Sequence, residues 1–125
     1  MSKLIYKELS YQVLSAAFTV HRYLGPGLLE SLYKKAMCIE LQERHISYEC
    51  ESPYTVLYKG EEIGVFKADL AIENKIIVEL KAVKLLKEFM EAQTINYLKI
   101  AHMSVGYLIN FNSTSVVWKR FYRRL

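Results

Sequence analysis

Aspartate is nearly absent from this chain of 125 residues. Of its 13 acidic residues, Asp69 is the only aspartate, and all the others are glutamates. Proline and glycine are also scarce, at two and five residues, which excludes collagen-like and low-complexity proteins. The two cysteines, Cys38 and Cys50, are too few for a disulfide framework, and the three histidines are too widely spaced for a zinc site. Reduced thiols and a cytoplasmic location are therefore expected.

Long hydrophobic runs are missing as well. No run approaches the roughly 18 to 20 apolar residues that cross a bilayer, so a membrane partner is not expected. The chain is 52% hydrophobic and 24% charged, which is ordinary for a globular protein and suggests a single domain over residues 1–125. Its net charge of +4 is a mild excess that permits an anionic partner without requiring one.

Hydrophobic periodicity divides the chain into helices and strands. The helical spacing of apolar residues predicts helices over residues 4–23, 28–44 and 85–101. Alternation of apolar and polar residues predicts strands over residues 48–58, 63–72, 76–83, 104–111 and 116–122. The order of two helices, a three-stranded meander, a helix and two strands indicates an α/β domain with a mixed central sheet flanked by helices.

The predicted hairpin of residues 63–83 contains the most informative pattern. Every second residue of both strands is apolar, and we expect this face to enter the core: Phe66, Ala68, Leu70, Ile72, Ile76, Val78, Leu80 and Ala82. A three-residue loop at 73–75 then places Asp69 opposite Glu79, and Lys67 opposite Lys81, on the other face. Side chains opposed in this way have Cβ atoms about 5 Å apart.

Two facing carboxylates at that separation repel each other, and aspartate is disfavoured within strands. The Asp69–Glu79 pair therefore needs positive charge, which Lys67 and Lys81 or a bound divalent cation can supply. Hard oxygen ligands suit Mg²⁺ or Mn²⁺, with the carbonyl of Leu80 as a further ligand. Lys81 would lie beside the metal, where it can position a water molecule or stabilise charge on a phosphate. The alternative is a surface ladder of alternating charges on a solvated sheet face.

This arrangement resembles the signature of the PD-(D/E)XK nucleases, in which an aspartate on one strand precedes a Glu-x-Lys sequence on the next. Asp69 and residues 79–81 match that signature here. Residues 27–33, Gly-Leu-Leu-Glu-Ser-Leu-Tyr, match the GxxExxY motif that names a small prokaryotic family within the superfamily. The similarity extends over residues 5–122, nearly the whole chain.

The resemblance implies a restriction-endonuclease-like α-β-β-β-α-β core, which agrees with the order of elements above. It also implies that Asp69 and Glu79 are metal ligands, that Lys81 is the catalytic lysine, and that Glu30 is a further acidic residue near the metal. The alternative for Glu30 is a glutamate stabilised by the helix dipole in a first helical turn. Tyr33, three residues further on, suits the core as well as the site.

Gln93 and Tyr97 lie four residues apart on the third predicted helix and so share one face. They resemble the Gln-x-x-x-Tyr element of RecB-like members of the superfamily, in which the glutamine helps to order the active site. The alternative is an ordinary polar helix position. The sequence departs from the family pattern at Met90, where a histidine is frequent, and at Ala68, where a proline usually precedes the aspartate.

The hypothesis is a Mg²⁺- or Mn²⁺-dependent nuclease that hydrolyses phosphodiester bonds in DNA, with structure- or end-directed recognition. Candidate nucleic-acid contacts are Lys84, Lys87, Tyr97, Lys119 and Arg120, although a basic, aromatic C-terminal segment is more often a last strand with a solvated end. The alternatives are a catalytically weak nucleic-acid-binding module and a protein-interaction module on the same fold. A homodimer is compatible with either function.

Overall fold

A computed structural model describes residues 4–124. Its elements follow the predicted order of two helices, three strands, a helix and two strands. They are α1 (Lys7–Leu24), α2 (Glu30–Glu43), β1 (Tyr48–Tyr58), β2 (Glu61–Ile72), β3 (Ile76–Lys81), α3 (Glu88–Ala101), β4 (Val105–Asn110) and β5 (Val117–Tyr122). None of the helices among these residues has the length and apolarity of a membrane-crossing segment.

The structure differs from the predicted boundaries at the start of α1, which begins at Lys7 rather than at residue 4, and at two connections. The turn after β1 is tighter than predicted, because Lys59 and Gly60 both adopt positive φ, and the strand resumes at Glu61. The third helix begins at Glu88 rather than at residue 85, because the segment between Lys81 and Glu88 forms a loop in which Leu85 is exposed.

The five strands form one mixed sheet in the order β1-β2-β3-β4-β5. The β3 and β4 strands are parallel, and the other neighbouring pairs are antiparallel. Helix α3 connects the two parallel strands, as such a crossover requires. The sheet therefore confirms the predicted α/β architecture, and it places the β2–β3 hairpin at its centre.

Helices cover both faces of the sheet. Helices α1 and α2 pack on one face, against residues that include Leu70, Val78 and Ile109. Helix α3 packs on the other face, where Leu98 contacts the sheet so closely that a Cβ at Gly106 would lie 2.9 Å from its Cδ2 atom. Since both faces are covered, the middle of the sheet is buried throughout, and β4 has no exposed residue.

The prediction that the apolar residues of β2 all enter the core on one face of the sheet is wrong in part. Leu70 and Ile72 join the core beneath α1 and α2, whereas Phe66 and Ala68 pack in the core beneath α3. The change of side occurs around Asp69, where β2 and β3 stop pairing after Leu70↔Val78. At the same level of β1, Glu51 has a φ of 53° and makes no regular pair with β2. The sheet is thus irregular at the position of the chain's one aspartate.

Candidate active site

Asp69 and Glu79 lie on the adjacent antiparallel strands β2 and β3, as the hairpin pattern predicts. The loop at 73–75 has three residues, because Ile72 pairs with Ile76. Glu73 and Asn74 adopt positive φ in this loop, and the Lys75 N–H donates to the Ile72 carbonyl at 2.8 Å. The odd loop length is therefore confirmed.

The two carboxylates replace the backbone hydrogen bonds that the strands no longer make. The Asp69 N–H donates to Glu79 Oε2 at 3.0 Å, and the Leu80 N–H donates to Asp69 Oδ2 at 2.8 Å. These bonds fix both side chains in the gap between the separating strands. The Glu79 residue is only 6% exposed, so its carboxylate lies in a low-dielectric environment.

The electrostatics of the pair are unfavourable to full ionisation. Burial raises the pKa of Glu79 to about 8, and the negative charge of Asp69 adds to this effect. The hydrogen bond from the Asp69 backbone and the charge of Lys81 oppose it, while Glu30 reinforces it. With its pKa raised in this way, the Glu79 carboxyl holds a proton in the neutral range unless more positive charge arrives.

Lys34 supplies a counter-charge that the sequence did not reveal. Its Nζ atom lies 3.0 Å from Asp69 Oδ1, and both side chains are largely buried, at 18% and 14% exposure. Burial lowers the pKa of Lys34, but the hydrogen bond to Asp69 and the charges of Asp69 and Glu51 outweigh burial, so that the pKa is raised overall. Lys67, which could have supplied positive charge together with Lys81, is exposed and lies beyond the end of the β2–β3 ladder.

Lys81 is the last residue of β3 and is half-buried beside the pair, where its charge lowers the pKa of both Glu79 and Glu30. Its backbone is held in place, since the Phe111 N–H donates to the Lys81 carbonyl at 3.0 Å. The buried Asn110 side chain fixes the following loop by accepting from the Val83 N–H at 3.0 Å and donating to the Val83 carbonyl at 2.8 Å. Asn110 is thus a positioning residue that sequence reasoning missed.

Glu30 is the first residue of α2 and approaches the pair from the helix side. Burial raises the pKa of Glu30 and the charge of Asp69 adds to this, while Lys81 and Lys34 oppose it. The dipole of α2 favours an anion at this end of the helix. Glu30 and Lys34 lie one turn apart on α2, so the helix presents one negative and one positive charge to the same site.

Tyr33 belongs to the core rather than to the site. It is fully buried, and its ring stacks on Phe111 with centroids 4.6 Å apart. Its hydroxyl donates to the Gly25 carbonyl at 2.6 Å and accepts from the Leu28 N–H at 3.2 Å. Gly27 has a φ of 100°, which favours glycine. The glycine and tyrosine of the GxxExxY segment therefore shape and anchor the loop that delivers Glu30.

Tyr97 on α3 lies near the pair, and the Gln93 side chain lies beside Tyr97. Burial raises the pKa of Tyr97 and the charge of Glu79 adds to this, while the Gln93 side chain acts in the opposite direction. The Tyr97 ring stacks on Phe66 with a centroid distance of 3.7 Å. The site is therefore enclosed by α2 on one side and α3 on the other, with the β2–β3 hairpin between them.

A family model for the PD-(D/E)XK nuclease superfamily matches residues 7–121. This chain belongs to that superfamily. Nucleases of this superfamily generally use divalent metal ions. The narrower assignment to the GxxExxY family stays a prediction. No curated protein matches the sequence.

Two solved structures are similar to this superfamily member. The crystal structure of SSO0001 matches with a TM-score of 0.58 and 16% sequence identity, over 95% of this chain and 63% of that chain. This chain thus spans less than two thirds of SSO0001, and at that identity the likeness concerns the fold. The alkaline exonuclease LHK-Exo from Laribacter hongkongensis matches with a TM-score of 0.45 and 11% identity, over 99% of this chain and 73% of that chain.

The donor set suits the hard divalent cation that the superfamily implies. Two carboxylates lie next to each other, and burial together with the charge of Asp69 raises the pKa of Glu79, so a bound cation would favour its ionised form. Within residues 4–124, no cluster of three His, Cys, Asp or Glu side chains is close enough to hold an ion. Any further ligand must therefore come from backbone oxygen or water, or from a movement of Glu30.

The basic candidates are not gathered at the pair. Lys84 and Lys87 are exposed on the loop between β3 and α3, close in sequence to Lys81. Lys119 forms a salt bridge of 2.7 Å with Glu91. Arg120 donates to Ser10 Oγ, to the Tyr107 hydroxyl and to the Ile5 carbonyl: it is thus engaged by protein groups on β5.

Proposed function

We propose that this chain is a Mg²⁺- or Mn²⁺-dependent nuclease that hydrolyses phosphodiester bonds in DNA. The observation that carries the proposal is the Asp69–Glu79 pair. Its two carboxylates are held together in a gap of the sheet, and burial, with the charge of Asp69 adding to it, raises the pKa of Glu79 to about 8. A solvated surface ladder of charges would leave its carboxylates easy to ionise, whereas Glu79 is costly to ionise without a further cation.

Asp69 and Glu79 are the residues that would hold the metal, with the Leu80 carbonyl as a further oxygen and Glu30 as an acidic neighbour. The bound cation would polarise the scissile phosphate and a water molecule, as divalent ions do in phosphodiester hydrolysis. The remaining steps of the hydrolysis depend on side chains of the protein.

Lys81 orients the attacking water and places its ammonium against the developing negative charge of the phosphate. The water oxygen forms a bond to phosphorus and releases a proton to solvent, the bond to the leaving oxygen breaks, and that oxygen takes up a proton from solvent. Gln93 on α3 helps to order the side chains of the site on the side that faces α3.

Recognition of a particular sequence is not expected. The β1–β2 ribbon extends past its pairing with β3 and ends in exposed apolar side chains, whereas the exposed Lys84 and Lys87 suit contacts with phosphates rather than with bases. We propose that the substrate is selected by its structure or by an end.

The test is cleavage of supercoiled plasmid and of labelled single- and double-stranded oligonucleotides with Mg²⁺ or Mn²⁺. We expect Lys81→Ala to lower the cleavage rate by about a hundredfold or more, because an electrostatic stabiliser of the transition state is lost. The matched control is Lys67→Ala on the neighbouring strand, which removes an exposed lysine outside the site and should leave the rate unchanged.

Two outcomes contradict the proposal. Equal cleavage by the wild type and Lys81→Ala would mean that the activity comes from elsewhere. Metal-dependent DNA binding without cleavage by the wild type would instead favour the catalytically weak binding module.

A further inference from the structure

Helix α2 brings a cation to the place where the proposed function requires a metal. Lys34 donates to Asp69 Oδ1 at 3.0 Å, and the other oxygen of Asp69 accepts from the Leu80 N–H at 2.8 Å. Every hydrogen bond that the structure gives the Asp69 carboxylate is thus made by one of these two donors. A divalent ion held by Asp69 must compete with at least one of them.

The lysine is the donor that can leave. The Leu80 N–H is fixed in the backbone of β3, at a residue that is fully buried. Lys34 reaches Asp69 through a long side chain from α2, and it can swing while the helix stays in place.

The Lys34 ammonium has other negative neighbours when it leaves Asp69. The charge of Glu51, on the irregular part of β1, already acts on Lys34 and raises its pKa. Glu30 lies one turn before Lys34 on the same helix, and the charge of Lys34 in turn lowers the pKa of Glu30. Moving from Asp69 toward Glu51 or Glu30 therefore leaves the ammonium with a negative neighbour.

From this geometry we infer that Lys34 is a built-in counter-cation. Its ammonium pairs with the Asp69 carboxylate in the metal-free protein and must leave that carboxylate when the metal binds. Lys34 acts as a positioning residue: it pairs with the Asp69 carboxylate before the metal arrives and sets the metal concentration at which the site fills. This inference rests on the proposed function, because it concerns the same site.

The consequence is a competition that metal titration can measure. Removing the lysine abolishes the competing ion pair, so Mn²⁺ should bind more tightly. We expect Lys34→Gln to lower the Kd for Mn²⁺ on the order of tenfold, the value of one partly buried charge-assisted hydrogen bond. Without metal, the same variant should melt at a lower temperature than the wild type, and saturating Mn²⁺ should remove most of that difference.

The matched control is Lys35→Gln, which makes the same change in net charge one residue further along α2. Lys35 is exposed, and no salt bridge of Lys35 is found among residues 4–124. Its Mn²⁺ affinity should stay close to that of the wild type. A second variant, Lys34→Arg, keeps the charge and can pair with Asp69 through two parallel hydrogen bonds, so it should weaken Mn²⁺ binding by roughly threefold.

Isothermal titration calorimetry with Mn²⁺ gives the affinities, and thermal melting with and without Mn²⁺ gives the stabilities. An unchanged or weaker affinity in Lys34→Gln overturns the exchange, as does an equal gain in Lys35→Gln. If Lys34→Gln does not fold, tighter Mn²⁺ binding by Lys34→Arg overturns it instead. Failure of the wild type to bind Mn²⁺ at all would contradict the proposed function itself, and this result is distinct from the others.

Discussion

Two charged regions of the protein differ in how their charges are neutralised. On β5, Lys119 pairs with Glu91 at the surface, and Arg120 is held by three acceptors of the protein. In the gap between β2 and β3, burial and the charge of Asp69 raise the pKa of Glu79 to about 8, although Lys34 and Lys81 lie beside the pair. The first region satisfies its charges within the chain, whereas the second keeps a deficit of positive charge that a ligand can fill.

This difference explains why charge patterns in the sequence have unequal meaning. A basic, aromatic last strand looks like a nucleic-acid contact, yet the guanidinium of Arg120 stacks over Tyr107 at 5.5 Å and joins β5 to α1 and β4. One aspartate and one glutamate look unremarkable, yet burial makes the Glu79 carboxyl costly to ionise. Burial and the number of partners, rather than the number of charges, separate a candidate site from a stabilised surface.

The largest expected effect concerns Glu79 and pH. A carboxyl whose pKa is raised in the folded state binds more protons there than in the unfolded chain, so its contribution to stability is complete below about pH 4.5 and is lost as the pH rises to about 8. The free energy of unfolding of the metal-free protein should therefore fall by up to about 1.4 kcal/mol per pH unit in that window.

Glu79→Gln should flatten this dependence and make the protein more stable than the wild type near pH 8. The amide oxygen can still accept from the Asp69 N–H, but the side chain no longer titrates. Urea denaturation across the pH window measures the effect, with Glu91→Gln as the control for loss of an acidic side chain. If the free energy of unfolding of the wild type depends on pH no more steeply than that of Glu79→Gln, the raised pKa of Glu79 is contradicted.

A smaller effect is expected on β5. Arg120→Ala should lower the free energy of unfolding by about 1 to 2 kcal/mol, because the hydroxyls of Ser10 and Tyr107 and the Ile5 carbonyl lose a charged donor. Its affinity for DNA, measured by fluorescence anisotropy, should change little. A large loss of DNA affinity at unchanged stability would instead make Arg120 a phosphate contact.

Lys119→Ala should have the smallest effect of these substitutions, below about 0.5 kcal/mol, because its salt bridge with Glu91 is largely solvated. Equilibrium unfolding at low and high salt measures both the contribution and its screening. A loss as large as that of Arg120→Ala would mean that β5 depends on its surface ion pair.

Much of the fold follows from local patterns. Helical spacing and alternation identify every helix and strand that the structure describes, and the odd loop at 73–75 predicts the pairing that brings Asp69 to Glu79. These features depend on neighbouring residues in one hairpin or helix, so the sequence contains enough information to predict them. The resemblance to PD-(D/E)XK nucleases adds the expected roles.

The contribution of Lys34 lies beyond such patterns. Its contact with Asp69 depends on how α2 packs against the sheet, and 35 positions separate the two residues in the chain. No pattern in the sequence distinguishes Lys34 from its exposed neighbour Lys35. In the same way, the packing of Phe66 beneath α3 depends on a break in strand pairing that no alternation pattern shows.

The central claim is that Glu79, beside Asp69, holds a proton until a cation replaces it. The pH dependence of the metal affinity tests this claim most directly. Calorimetric titration with Mn²⁺ between about pH 6 and about pH 8 should show the affinity rising about tenfold per pH unit, because binding must release the proton of Glu79. The rise should level off above about pH 8. An affinity that stays constant across this range would contradict the account.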